Sequence, residues 1–142
     1  MFLLRIKIGK FFFNIFETLI ILKKTFTGIL ALMSATRNPL FIFHNSVIIK
    51  GDLKIKGRLF GLRYSHILVE RNAELILDKN IHFSEGLSLR CVNSITINRE
   101  VRIAPYCSIS DCEYLNLGSK DLALSPKSIF IGEFSFLGAH SL

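Results

Sequence analysis

Hydrophobic and polar residues follow one pattern before about residue 40 and a different one after it. In the first part, "GKFFFNIFETLIILKKTFTGILALM" (9–33) places apolar residues at helical spacing. At about 100° per residue, one side of this helix carries polar residues and the other side apolar ones. The polar side holds Lys7, Lys10, Asn14, Glu17 and Lys24, and the apolar side holds Ile8, Phe12, Ile15, Phe16, Leu19 and Leu22. The pattern predicts an amphipathic helical segment over residues 1–40, ended by Asn38–Pro39.

The surroundings of this helix are left open by its sequence. Asn14, Glu17 and the pair Lys23–Lys24 interrupt the apolar run, whereas a membrane span needs about 20 apolar residues with few charges. A secretory signal fits poorly, since its apolar core would carry charge and lack a cleavage site. The helix can cap the following domain or pack in an oligomer, lie in a membrane interface with its lysines toward anionic headgroups, or cross the membrane.

From residue 41 onward, short β-rich runs follow one another, with no room between them for a ten-residue helix. Examples are "SVIIKGDLKIKG", "AELILD" and "SITIN". When residues 75–94 are set above 95–114, the apolar positions coincide and recur every six residues. The aligned pairs are Leu77 with Ile97, Ile81 with Val101, Phe83 with Ile103, Leu87 with Cys107 and Leu89 with Ile109, and the spacing returns at Ile131 and Leu137.

A six-residue period is typical of a flat strand followed by a tight corner, with inward aliphatic residues stacked from one coil to the next. The alternative is a β-sandwich, which would favour hairpin dipeptides such as Asn-Gly; the chain has none. The pattern therefore favours a parallel β-solenoid of about four coils over residues 41–142. His82, between Ile81 and Phe83, is expected to point outward, and Cys107 is expected in the core.

Two stretches, "ITINREVRIAPYCSISD" and "IFIGEFSFLGAH", resemble the left-handed β-helix acyltransferases, the hexapeptide-repeat family. The resemblance covers about residues 47–142 and is closest to the O-acetyltransferases of the maltose/galactoside and capsular polysaccharide types. It implies an all-β, left-handed parallel β-helix preceded by the N-terminal helix. It also implies transfer of an acetyl group from acetyl-CoA to a hydroxyl of a sugar or surface polysaccharide, in homotrimers with active sites between subunits.

The resemblance assigns site residues unevenly. Asp111, Glu113 and Tyr114 match the acidic and aromatic residues of the family's acceptor loop, and Gly138 and Ala139 match its acetyl-CoA contact. The position of the family's general base, a histidine, holds Leu115, so no catalytic residue is identified. Family members also continue with further coils beyond the position of Leu142, so the chain is expected to be C-terminally truncated. The alternative function is a catalytically inactive homologue that serves as a membrane- or subunit-binding scaffold.

Composition and charge add two expectations. Residues 1–63 hold eleven Lys and Arg against the acids Glu17 and Asp52, which indicates an anionic neighbour such as a membrane surface for residues 1–35. Nucleic acid is not expected, because the later half has no basic stripe with interleaved aromatic residues. Cys91, Cys107 and Cys112 form no even framework and no CxxC pair, which favours a reducing cytoplasmic setting, peripheral to the membrane. No metal site is predicted.

Overall fold

The computed structural model describes residues 2–38, 44–116 and 122–141, with side chains for residues 15–38, 44–112 and 125–141. An N-terminal helix, α1 (Phe2–Thr36), precedes the strands. The strands are β1 (Ser46–Ile49), β2 (Asp52–Ile55), β3 (Leu59–Phe60), β4 (His66–Val69), β5 (Glu74–Leu77), β6 (Ile81–Phe83), β7 (Ser88–Cys91), β8 (Ser94–Ile97), β9 (Arg102–Ile103), β10 (Ser108–Ser110), β11 (Cys112–Asn116), β12 (Leu122–Pro126), β13 (Ser128–Ile131) and β14 (Phe136–Leu137).

Three sheets, each of four parallel strands, make up most of the described chain. Sheet A has the order β1-β4-β7-β10, sheet B β2-β5-β8-β13 and sheet C β3-β6-β9-β14. Apart from the pair β11–β12, successive strands enter sheets A, B and C in rotation, so three strands make one layer and the next three stack on it. All pairings within these sheets are parallel, unlike those of the antiparallel sandwich. The arrangement is consistent with a β-helix solenoid of four layers.

The register of these sheets confirms the predicted alignment of apolar residues. In sheet B, Leu77 pairs with Ile97, which pairs with Ile131. Phe83, Ile103 and Leu137 stack likewise in sheet C. In sheet A, Leu89 pairs with Ile109. The core is formed by these inward positions, including the buried residues Leu59, Ile67, Leu75, Ile81 and Ile95.

Side chains between the inward positions point away from the core. β6 shows this alternation, since Ile81 and Phe83 are buried and His82 between them is exposed. The His82 ring stacks on Phe60 of the layer before it, with ring centroids 4.5 Å apart. Cys107 is buried, as its stacking position predicted. The alternation therefore places histidine chemistry outside the stack and apolar residues inside.

Two corners of the stack repeat a left-handed backbone conformation in successive layers. The corner between sheets B and C has positive φ at Asn80, Glu100 and Phe134. The corner between sheets C and A has it at Gly86, Tyr106 and His140. Left-handed residues tighten each corner, and glycine tolerates this conformation best. At Gly86 a Cβ would lie 2.5 Å from Cδ1 of Tyr106 in the next layer, so glycine also makes room for that ring.

Helix α1 covers the first layer, since its contacts are with β1, β2 and β3. The Thr25 hydroxyl donates to the Ile49 carbonyl at 3.1 Å and accepts from the Ile49 N–H at 3.0 Å. Gly28 is buried against Ile49, where a Cβ would lie 2.8 Å from Cγ1. Leu32 is fully buried. The helix thus satisfies backbone groups at the edge of sheet A and covers one end of the core.

The side of α1 that faces the sheets is the predicted polar side. The Glu17 carboxylate accepts two bonds from the Arg71 guanidinium, at 3.0 and 2.9 Å. Lys24 pairs with Asp52 at 3.0 Å. An outward face points away from the sheets and is exposed; it consists of Ile15, Phe16, Leu19, Leu22, Phe26 and Leu30. The predicted helix is confirmed, but its broad apolar face does not cap the sheets.

The boundaries of the two predicted segments are only partly visible. Helix α1 ends at Thr36 and β1 begins at Ser46, while the predicted boundary at residue 40 lies outside the described residues. Among the helices that the structure describes, none is long and apolar enough to cross a bilayer.

A pair of substitutions within β5 tests the stacked core. Leu75 is fully buried and its neighbour Ile76 points outward and is half-buried. Leu75→Ala should lower the free energy of unfolding by about 2–5 kcal/mol, because it leaves a cavity between layers. Ile76→Ala should cost about 1 kcal/mol or less. Urea denaturation followed by circular dichroism measures both, and equal losses would contradict the assigned inward face.

Candidate functional site

The regular step along the chain is broken at a single corner of the described stack, after β10. Sheet B advances 20 residues from Ser94's partner Glu74 to Ser94, but 34 residues from Ser94 to its next partner Ser128. The added residues form an antiparallel hairpin of β11 and β12. The stretch 118–127, predicted to be an exposed loop, is therefore partly a strand, and residues 117–121 lie outside the description.

The hairpin leaves and rejoins the stack at a closed neck, formed by Asp111 and Lys127. The Lys127 N–H donates to the Asp111 carbonyl at 2.6 Å, and the Asp111 N–H donates to the Arg90 carbonyl at 3.4 Å. Beside the neck, the Asn93 amide donates to the Ser128 hydroxyl at 3.1 Å. Because the neck joins the two ends of the insertion, the fourth layer continues over the third in register.

The Asp111 carboxylate is buried beneath this neck, with 2% of the residue exposed. Its Oδ1 accepts from the Val92 N–H at 2.6 Å and its Oδ2 from the Asn93 N–H at 2.7 Å. These are backbone groups of the corner one layer below. Burial of a carboxylate is tolerated where such donors compensate for lost water. Asp111, predicted to bind substrate, therefore already has a role in holding two layers together.

Cys91 lies next to this carboxylate, with its Sγ 3.7 Å from Asp111 Oδ2 and 3.3 Å from the Glu74 carbonyl. Burial of the thiol raises the pKa of Cys91 to about 12, and the negative charge of Asp111 raises it further. The thiol therefore stays protonated at neutral pH, which makes it a poor nucleophile.

The remaining acceptor-loop residues lie along β11. In the hairpin register Glu113 is opposite Ser125, Tyr114 is opposite Leu124 and Leu115 is opposite Ala123. Their side chains lie outside the described part of the structure, so the predicted substrate-binding role of Glu113 and Tyr114 stays a prediction. Neighbouring residues of a strand point to opposite faces, so Glu113 and Leu115 share one face of the hairpin.

Gly138 and Ala139, predicted to contact acetyl-CoA, form the last corner between sheets C and A. The Gly138 carbonyl accepts from the Ser141 hydroxyl at 2.6 Å and lies 2.9 Å from the Cys107 Sγ. The ring of His140 stacks on Tyr106, with centroids 5.7 Å apart. A Cβ at Gly138 would meet nothing nearer than the Ser141 hydroxyl at 3.7 Å, so the space beside this corner is open to a ligand.

The two predicted parts of the site stand at opposite ends of β10. The Ser108 N–H, at the start of β10, donates to the Ser141 carbonyl beside the Gly138 corner. Asp111 follows the end of β10 and begins the hairpin. Strands rise about 3.3 Å per residue, so these corners are separated by roughly 10 Å along the sheet. A single chain does not bring the hairpin neck and the glycine corner together.

Comparison of the chain with protein-family models, with curated proteins and with solved structures finds no match. The resemblance to the hexapeptide-repeat family therefore depends on the quoted stretches and on the sheet pattern.

Two cavities lie away from the hairpin. One, of about 230 Å³, lies between α1 and the first corners, and its wall includes Glu17, Lys24, Asp52 and Arg71, which form the two ion pairs described above. The other, of about 330 Å³, opens at the last layer between Ile109, Ile131 and Leu137. Within the described ranges, no group of three or more His, Cys, Asp and Glu residues is placed to hold a metal ion.

The contacts of Asp111 with Val92 and Asn93 had no signal in the sequence. They join residues 18 and 19 positions apart, and their proximity depends on the layer step. The ion pair between Glu17 and Arg71 spans 54 positions and depends on the docking of α1. Position in a repeat, once the register is known, is the signal that would have found the first of these contacts.

Removal of the Asp111 carboxylate should weaken the fold. Asp111→Ala leaves two buried N–H groups without their acceptor, so the free energy of unfolding should fall by roughly 3 kcal/mol. The matched control is Asp78→Ala, which removes one exposed bond to the Lys79 N–H and should cost less than about 1 kcal/mol. Urea denaturation measures both. Equal effects, with acetyl transfer lost only in Asp111→Ala, would assign Asp111 to the substrate instead.

Thiol reactivity should distinguish the three cysteines. Cys91 and Cys107 are buried and Cys112 is partly exposed. Ellman's reagent at pH 8 should modify Cys112 rapidly and the other two only when the protein unfolds, because attack requires an accessible thiolate. Cys112→Ser should abolish the rapid phase. Modification of Cys91 at the rate of Cys112 would contradict the buried, protonated thiol.

Proposed function

We propose that this chain is a left-handed β-helix acyltransferase that transfers an acetyl group from acetyl-CoA to a hydroxyl of a sugar or surface polysaccharide. The observation that carries the proposal is the hairpin inserted after β10 with a closed neck. The resembled family opens its solenoid at this position to hold the acceptor. Parallel sheets that advance by 20 or 22 residues per layer support the same proposal.

The proposed chemistry needs three elements. A sugar hydroxyl attacks the thioester carbonyl, so a base must take its proton, since a hydroxyl is barely ionised at neutral pH. Backbone N–H groups stabilise the oxyanion that forms on the carbonyl oxygen. The thiolate of CoA then leaves. The open corner at Gly138 and Ala139 fits the second requirement, because the missing Cβ at Gly138 permits close approach to the backbone.

A homotrimer belongs to this proposal. The hairpin neck and the Gly138 corner stand at opposite ends of β10, so a site that uses both must take one from each of two subunits. The separation supports the arrangement implied by the resemblance, in which the acceptor loop of one subunit meets the acetyl-CoA groove of the next.

The second candidate is a catalytically inactive scaffold that binds a membrane or homologous subunits. Leu115 favours it, because the expected base position holds a side chain that cannot accept a proton. The hydrogen bonds of Asp111 favour it as well, since both carboxylate oxygens are occupied by backbone donors. The described stack itself suits either candidate.

Restoring the base tests the proposal. Leu115→His should raise the rate of acetyl transfer by about 10²-fold over the unaltered chain, the contribution typical of a general base. Ala123→His is the matched control, since residue 123 lies opposite residue 115 in the hairpin and should give no gain. The assay follows release of CoA thiol from acetyl-CoA with a panel of hexoses and hexosamines, and mass spectrometry identifies the acetylated sugar.

The outcomes separate the two candidates. A gain confined to Leu115→His supports the acyltransferase. Absence of acetyl-CoA binding by calorimetry, together with no turnover in any variant, would overturn it and leave the scaffold. Turnover by the unaltered chain that disappears in His140→Ala would move the base to the glycine corner.

A further inference from the structure

The outward face of α1 presents six large apolar side chains to solvent. Phe16, Leu19, Leu22 and Phe26 are each more than half exposed, and Phe26 is 63% exposed. At about 100° per residue the six side chains cover an arc of roughly 120°, directly opposite the side that carries Gly28 and Leu32. Contiguous apolar patches of this kind mark interaction surfaces on soluble proteins.

The docking of α1 fixes this orientation. Rotating the helix to bury the outward face would break the bidentate pair between Glu17 and Arg71 and the pair between Lys24 and Asp52. It would also withdraw the Thr25 hydroxyl from Ile49 and replace Gly28, where the helix and Ile49 approach most closely, with a bulkier residue. The outward face therefore needs an occupant other than the chain's own sheets.

Charge identifies the occupant. Residues 1–38 hold six basic residues, Arg5, Lys7, Lys10, Lys23, Lys24 and Arg37, against a single acid, Glu17. Lys23 lies on the edge of the outward face and is exposed. An apolar face with lysines at its margin is typical of a helix that lies in the headgroup region, because the lysine stems run along the apolar zone while their ammonium groups reach anionic headgroups.

A second copy of the chain fits this face less well. Two such helices face to face would bring Lys23 of each toward the other's basic segment, and like charges at an interface are unfavourable. The arc of roughly 120° is also wider than the narrow seam of a two-helix coiled coil. A bilayer surface covers the whole arc and neutralises the charges.

We propose that α1 lies flat on a bilayer that contains anionic lipids, with its outward face at the boundary between headgroups and acyl chains. The sheets then stand on the aqueous side, held to the helix through Thr25, Gly28, Leu32 and the two ion pairs. This inference is independent of the catalytic proposal, because it applies equally to an active enzyme and to a scaffold.

Vesicle flotation of the full chain tests the inference. The chain should float with vesicles of phosphatidylcholine and phosphatidylglycerol, bind phosphatidylcholine alone more weakly, and lose affinity at high salt. Leu19→Glu and Phe26→Glu should each lower the partition coefficient by about tenfold or more, since each places a carboxylate in the apolar zone. Phe130→Glu, at a residue 71% exposed on β13, is the matched control and should bind as the unaltered chain does.

A fluorescent reporter gives a second measurement that needs no loss of binding. The chain contains no tryptophan, so Phe26→Trp introduces a single emitter on the outward face and Phe130→Trp one on β13. Anionic vesicles should shift the emission of Phe26→Trp to shorter wavelength and leave Phe130→Trp unchanged.

Two results would overturn the inference. One is vesicle binding that survives both glutamate substitutions, with no shift in Phe26→Trp. The other is absence of vesicle binding together with an oligomer, seen by light scattering, that dissociates in Phe26→Glu; this would assign the face to a second copy of the chain.

Discussion

Backbone hydrogen bonds in this protein run from layer to layer, and they place each inward aliphatic side chain on its counterpart one layer away. Leu77, Ile97 and Ile131 in sheet B and Phe83, Ile103 and Leu137 in sheet C are such columns. A shift of one residue would exchange the inward and outward positions, so the columns and the register enforce each other. The corners, the end cap and the hairpin all depend on this stack, because each is held by groups that the register brings together.

The hairpin shows how the stack accommodates an insertion. Lys127 and Asp111 close its base, and the Asp111 side chain ties that base to the corner at Val92 and Asn93. Residues added between β10 and β13 therefore leave the columns undisturbed, and β11 and β12 extend from the body. Such a site suits an acceptor-binding loop. The buried carboxylate at its base is committed to the fold, so chemistry in the hairpin would depend on residues further along it, where Leu115 stands in the expected place of a base.

Helix α1 reverses the usual relation between apolar faces and protein cores. Its contact with the first layer uses a hydroxyl, a glycine, one buried leucine and two ion pairs, and its larger apolar side chains stay outside. Exposed ion pairs contribute little each, so close packing at Gly28 and Leu32 and the capping of Ile49 by Thr25 carry much of the attachment. A bilayer would complete this design by covering the face that the sheets leave open.

The sequence alone determined the repeat, its six-residue period and the pairing of columns, because side chains on a strand alternate strictly and a mismatched residue would bury a polar group. It also determined that residues 9–33 form a helix and that His82 points outward. The tertiary structure decided which side of that helix meets the sheets, since ion pairs across 28 and 54 positions and the close contact at Gly28 depend on the packed arrangement. It likewise decided the position of Asp111. Its sequence neighbours suggested a ligand site, whereas the layer below supplied two backbone donors that occupy its carboxylate.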